Sequence, residues 1–411
     1  MAEQRDAHRR LWRHRWAVAV FIGLSLGVAS IAPMADGIHR FGIDILLPLR
    51  HQFFGPLYPP SESDAVVVSI DEETYNRPPF SETPRVAWTP MLAKVLNAID
   101  GAGAQVIGLD LIYPTSLDKP GLLPGYDKPL LMAMFKAGRA KRLVLGKVRL
   151  SKQSIVPYKG QQIAVGGAAN IRALNILLDK DNVARRYPKK FSDVAGGQTS
   201  SFAMELARRG GVKMGVGSEF LINYNTGAND IPTYSFADLH LCAEEGDRDY
   251  FTRHFAGKTV IVGSALDVED RRFAAKRYAN SGGTARPPER CRIAFDAERF
   301  GEIVQRRTMP GVFIHAAAVN TLTHDNALHL LNRAGTLALT AASGAALAIL
   351  FFLLTPLTGV LVGTGFVAVE GIVSLIAFQG GIVFPVVALA LGAIATFTVV
   401  YAFRFVIEDR T

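Results

Sequence analysis

Asp71, Glu72, Asp110 and Ser264 each close a short apolar run rich in β-branched residues. The runs are "AVVVSID" (65–71), "QVIGLDLI" (105–112) and "KTVIVGS" (258–264). As parallel strands they would present their carboxyl ends along one edge of a sheet, where open α/β sheets hold ligands. Arg85 begins the segment after the first run and could face the same edge. Acids beside a guanidinium suit a polar or zwitterionic small molecule. The same residues also have a structural use, because Asp71 and Asp110 can cap helices or pair with Arg85 and Arg185. The residue types leave both uses open.

A second acidic group lies in "LDVEDRRFAAKR" (266–277). Asp267, Glu269 and Asp270 offer the oxygens that a hard divalent cation takes, but the adjacent Arg271 and Arg272 compensate them. A solvated, self-paired loop is therefore expected, with Asp270 kept as a candidate ligand-binding residue. His315 and His324 lie on opposite sides of a regular helix and cannot share one metal; His315 falls in an apolar stripe and reads as a core or interface histidine. No CxxC, HExxH or His-rich tract is present, so neither a metal nor a cofactor is expected. The two cysteines, Cys242 and Cys291, would pair in an oxidising compartment, closing a loop of about 50 residues; two free buried thiols are the alternative.

The elements that would carry these residues follow from hydropathy. The chain has 411 residues, 49% hydrophobic and 20% charged. That mixture suits a folded domain joined to membrane helices. Four apolar runs are each long enough to cross a bilayer, which takes ~20 residues: 16–34, 334–354, 357–378 and 382–403. The first fifteen residues carry Arg5, Arg9, Arg10, Arg13 and Arg15, which keeps this end cytoplasmic; a cleaved signal peptide is the other reading of the first run. Residues 35–333 are then extracytoplasmic, and the tail 404–411 returns to the cytoplasm. The net charge of +9 is mild over this length, and no basic run is interleaved with aromatics, so nucleic-acid binding is not expected. Gly359 and Gly363 form a small-xxx-small step in the third run. Glu370 is an intramembrane acid, a candidate for signalling or a protonated group bonded to Thr340, Ser343 or Thr396 on neighbouring spans.

Residues 35–333 alternate strand-like and helix-like segments, which predicts a parallel or mixed sheet covered by helices. Besides the three runs above, "RLVLGKVRL" (142–150) and "EFLINYN" (219–225) read as strands. Segments 83–100, 129–138, 199–211, 235–255 (broken at Gly246) and 310–325 read as helices.

The order of these motifs resembles the second type of CHASE domain, an extracytoplasmic sensor of bacterial cyclases, histidine kinases and other receptors. The resemblance runs over residues 36–330 through "VVVSIDEETY", "FSETPRVAWTPMLAKVLNAIDGAGAQVIGLDLIYP", "DKDNVARRYP", "SFAMELA", "INYNTG", "TYSFADL", "FAGKTVIVGSALDVEDRR" and "MPGVFIHAAAVNTL". Asn182 stands where the family's turn usually has Gly, which Asn tolerates. The family layout of one span, sensor and three spans matches the expected four transmembrane helices. The resemblance implies a receptor module in a bacterial inner membrane with a periplasmic domain. It also implies an unknown ligand or protein partner, a homodimer, and a cyclase-type effector that is missing from this chain. An envelope enzyme using the acids at the strand ends, or a structural membrane protein, is the alternative. The enzyme reading lacks a nucleophile–base pair.

Overall fold

The computed structural model describes residues 2–408 except 30–35, 151–152, 193–196, 214, 216, 228, 270, 280–287 and 295–307. The chain forms two compact units: Phe54–Ala327, and Met1–Phe53 together with Leu328–Thr411.

The first unit is built on a largely parallel sheet. Its strands run Thr233–Ser235, Ala65–Ile70, Thr259–Ser264, Val106–Asp110 and Leu143–Arg149; Ile171–Ala173 adds in parallel to the last of these, and Ser154–Ile155 adds antiparallel. Ala65–Ile70 is buried along its whole length, as a strand covered on both faces must be. Val66, Val68, Ile70, Ile107, Leu109, Val260 and Val262 join one core with the helices Thr89–Gly101, Lys128–Arg139, Phe236–Glu245 and Arg248–Phe255. Each such side chain contributes ~1.5–3 kcal/mol on burial. The opposite face is packed by Phe202–Arg209 and Gly311–Thr323. Glycines let them come close: a Cβ on Gly108 would lie 2.7 Å from Phe202, and one on Gly263 2.7 Å from Val312.

The α/β architecture expected from the sequence is present, with two differences. Glu219–Leu221 forms a strand but pairs antiparallel with Arg186–Pro188, outside the central sheet. The edge position is taken instead by Thr233–Ser235, a three-residue strand too short for its periodicity to show. The expected break at Gly246 is real, since this residue ends Phe236–Glu245 in the left-handed conformation (φ 75°), which glycine adopts freely. The Cys242–Cys291 disulfide is formed (Cα–Cα 5.9 Å). It ties the first of these helices to residues 291–293, whose backbone N–H groups donate to Asp238 at 2.7–2.8 Å.

In the second unit, among the described residues, three helices are long and apolar enough to cross a membrane: Arg333–Leu353, Pro356–Gln379 and Val386–Val406. The expectation of four is corrected. The N-terminal helix runs Ala2–Ala29, but its first half is the arginine-rich segment, which leaves only Arg15–Ala29 as a shorter apolar helix. Residues 30–35, the rest of the expected first span, lie outside the described residues. This apolar half still packs closely against Arg333–Leu353. A side chain on Gly23 would collide with the Gly344 carbonyl, and one on Gly27 with that of Thr340. The pairing of 23 with 344 and 27 with 340 makes the two helices antiparallel. Gly359 likewise admits the Tyr401 ring, so the small-xxx-small step seats an aromatic side chain of the last helix.

Cys291→Ser should lower the stability of the unit Phe54–Ala327 by up to ~4 kcal/mol. Non-reducing electrophoresis should show faster migration of the wild type, abolished in the variant. Two thiols that label in the unfolded, unreduced protein would contradict the pairing.

Candidate functional site

Ile70 is in register with Ser264, and Gly263 with Asp110. The carboxyl ends of three adjacent strands therefore form the edge expected from sequence, and two polar groups lie along it.

The outer group is built on the turn after Ala65–Ile70. Asp71 starts the short helix Glu72–Tyr75, and its Oδ1 accepts from the Thr74 N–H (2.9 Å) and hydroxyl (3.0 Å). Burial pushes the Asp71 carboxyl above the usual carboxylate range, with the Thr74 hydrogen bonds opposing. Asp71 thus takes its structural use as a helix cap. Glu72 Oε1 accepts the Asp267 N–H at 2.8 Å. Arg85, at the start of the turn Arg85–Ala87, donates from Nη1 to Glu269 Oε1 at 2.5 Å. Burial disfavours the charged guanidinium, but the Glu269 carboxylate and the neighbouring Tyr75 and Tyr113 outweigh it and hold its pKa above the ordinary value. Burial pushes the Tyr113 hydroxyl up to about 12 against the opposing pull of Arg85, so this tyrosine stays neutral. The loop after Thr259–Ser264 is thus tied to the sheet edge by Glu72 and Arg85, and by the Ala265 N–H, which donates to the Ile70 carbonyl at 2.9 Å.

The inner group is Asp110, His315 and Tyr187. His315 is buried on Gly311–Thr323, with the Tyr187 hydroxyl 2.6 Å from Nδ1 and Asp110 Oδ2 3.9 Å from Nε2. The Ala203 N–H donates to the Tyr187 oxygen at 3.4 Å, and the Phe202 ring packs edge-on against the imidazole. One assignment satisfies this chain: Tyr187 donates to Nδ1, and Nε2 carries the proton toward Asp110. Burial lowers the His315 pKa to about 3 and raises that of Tyr187, so both are neutral at pH 7.

The sequence-level candidates divide accordingly. Glu72 and Arg85 are drawn to one loop, Asp71 is a cap, and Asp110 faces His315. The Ser264 hydroxyl is buried, with no hydrogen-bond partner among the described residues. Asp270 lies outside the described residues. Arg185 pairs with Asp179 and Asp181 rather than with Asp71 or Asp110. The solvated loop expected over 266–277 is corrected: Arg271–Ala274 is a strand paired with Thr308–Pro310, the segment is self-paired only in part (Asp267–Arg271, 3.4 Å), and Glu269 leaves it for Arg85. Sequence gave no cue that Tyr187 or Tyr113 belonged to these groups, since both contacts are long-range. Among the described residues, one group has metal-ligand proximity: Cys242, Asp247 and Cys291. The disulfide consumes both sulfurs and leaves a single carboxylate. In the second unit, Ser374 Oγ donates to Glu370 Oε1 at 2.7 Å; the partner is on the same helix, correcting the expectation of Thr340, Ser343 or Thr396. An i, i+4 hydroxyl reaches the acid without a second helix.

A model of the CHASE2 domain matches residues 16–360 of the chain. No curated protein and no solved structure matches it.

His315 has a pH signature. Its folded pKa lies below its unfolded value, so the unfolded chain binds the extra proton and stability falls as pH drops from about 6.5 toward 3, by ~1.4 kcal/mol per pH unit. Replacement by a group that does not titrate there, His315→Gln, should flatten this part of the curve. Equal slopes for wild type and variant in denaturant titrations between pH 7 and 4 would contradict the buried neutral imidazole.

Proposed function

The chain belongs to the CHASE2 domain family, whose members are extracytoplasmic sensor domains, and on that premise we propose that it is the receptor part of a membrane signalling protein. The unit Phe54–Ala327 lies outside the cytoplasm and senses a small molecule or partner at the carboxyl edge of its sheet. The three long apolar helices carry the signal inward, in a bacterial inner membrane, to an effector of the cyclase type. Both termini are cytoplasmic. Supporting this, the antiparallel packing of the N-terminal helix puts Arg15 at the same end as Arg404, the sidedness that basic residues favour.

The observation that carries the reading is a backbone bridge. The chain leaves the external unit after Gly311–Thr323 and, before entering Arg333–Leu353, pairs its residues His329–Leu330 in parallel with Ile382–Val383. The His329 N–H donates to the Gly381 carbonyl (2.8 Å) and the Leu331 N–H to that of Val383 (3.1 Å). Ile382–Val383 lies just before the last helix, so a displacement of this segment moves the first and last of the three helices together. At the other end, the Tyr401 hydroxyl and the Arg404 guanidinium donate to the Leu354 carbonyl at the end of Arg333–Leu353, satisfying a carbonyl that the helix leaves open. The two helices are joined at both ends. No Gly/Ser linker intervenes to absorb the motion.

The exit helix continues to Glu408, with Phe405 and Val406 exposed. In a homodimer these would meet their copies and bring two effectors together. Single cysteines along 404–410, with Cys242 and Cys291 replaced, should crosslink between protomers in membranes with helical periodicity; uniformly absent crosslinks would overturn the paired exit helix. A reporter fused after Thr411 should be active only as a cytoplasmic reporter, and periplasmic activity there would overturn the sidedness.

A further inference from the structure

We propose that Arg85 is the ligand-binding residue of the sensor, that its ligand is a small molecule bearing a carboxylate, and that Glu269 occupies the ligand's place in the unliganded protein. This rests on the sensor reading and gives it a ligand class. The pair is open to solvent: the Arg85 and Glu269 side chains are 31% and 37% exposed. A half-exposed pair of this kind is weak, and its partner can be exchanged at little cost. Two tyrosines lie near Arg85 on elements other than the loop that carries Glu269. Tyr113 is buried beside Arg85 with a neutral hydroxyl, and the Tyr75 ring packs against that of buried Trp88, tilted by 59° (ring centroids 4.7 Å). A guanidinium near two tyrosines, with a loop carboxylate as its counter-ion, has the planar donor fork that suits a carboxylate.

Exchange at Arg85 has a consequence inside the same unit. Glu269 belongs to the loop that follows Thr259–Ser264, and its release removes the side-chain tie to Arg85, while the Asp267 N–H to Glu72 and Ala265 N–H to Ile70 bonds remain. The loop runs into Arg271–Ala274, which pairs antiparallel with Thr308–Pro310, Arg271 opposite Pro310. The Arg271 guanidinium clamps this junction, donating to the Thr308 carbonyl at 2.7 Å and its hydroxyl at 3.1 Å. Pro310 immediately precedes Gly311–Thr323, the last helix of the external unit. Release at Arg85 therefore lies one loop and one strand pair away from the element that leads to the membrane segment.

Val268 is 91% exposed in this loop, so Val268→Cys accepts a spin label without touching the pair. In the full chain, in nanodiscs with the native disulfide intact, acetate and the uncharged acetamide serve as probes at up to tens of millimolar. Acetate should mobilise the label and acetamide should not. Glu269→Gln should show the mobile spectrum without any probe. It should also bind acetate about threefold more tightly than the wild type, read by quenching of tryptophan fluorescence, because the competing carboxylate is gone. Arg85→Gln should be mobile without a probe and give no response to acetate. A Glu269→Gln protein that binds acetate no better than the wild type, or an Arg85→Gln protein that still responds, would overturn the proposal. Either result leaves the sensor reading standing, since that is tested by the exit-helix crosslinks.

Discussion

The register between Ala65–Ile70 and Thr259–Ser264 is the constraint on which the external unit depends. The two strands come from opposite ends of the domain, and six consecutive residue pairs hold them together. Both are buried on both faces, so each unpaired N–H or carbonyl would be left without water, at a cost that fixes the pairing. A shift of one residue would turn Val66, Val68 and Ile70 out of their core and push Val67 and Ser69 into it. The pairing of Thr259–Ser264 with Val106–Asp110 brings Asp110 level with Gly263, and the register with Ala65–Ile70 sets Ser264 beside Ile70. It also decides where the loop carrying Asp267 and Glu269 emerges, and hence that it meets Glu72 and Arg85. The sheet edge and the junction to Thr308–Pro310 both follow from it.

Much of this was legible in the sequence, for a physical reason. Strands buried on both faces are continuous apolar runs, and the expected 65–71, 105–112, 142–150 and 258–264 became Ala65–Ile70, Val106–Asp110, Leu143–Arg149 and Thr259–Ser264. Helices 129–138 and 310–325 likewise appeared as Lys128–Arg139 and Gly311–Thr323. Three-residue strands such as Ile171–Ala173 and Thr233–Ser235 carry no period and were invisible. The first span was over-read because a run without charge was counted by length, while the helix it belongs to begins inside the arginine-rich segment. The GxxxG step at Gly23 and Gly27 would have been the better signal, since it specifies which helix the run packs against.

The candidate site was half legible. Residue type and strand position picked out Asp71, Glu72, Arg85 and Asp110, all of which do sit at the edge. Their partners did not show: Glu269 read as a loop charge, and the Tyr187–His315 contact joins residues 128 apart in the chain. Pairwise contacts of that kind are set by the packing of Gly311–Thr323 over the sheet. Asp71 illustrates the remaining ambiguity, because an acid after a strand caps a helix as readily as it binds a ligand.

The central claim is that the state of the sheet edge is read out at the exit helix. Its most direct test is a distance measurement between spin labels at Phe405→Cys in the two protomers, in nanodiscs, with Glu269 intact and as Glu269→Gln. The account predicts that freeing the loop shifts or broadens the inter-protomer distance distribution. Superimposable distributions, from dimers in both samples, would contradict it.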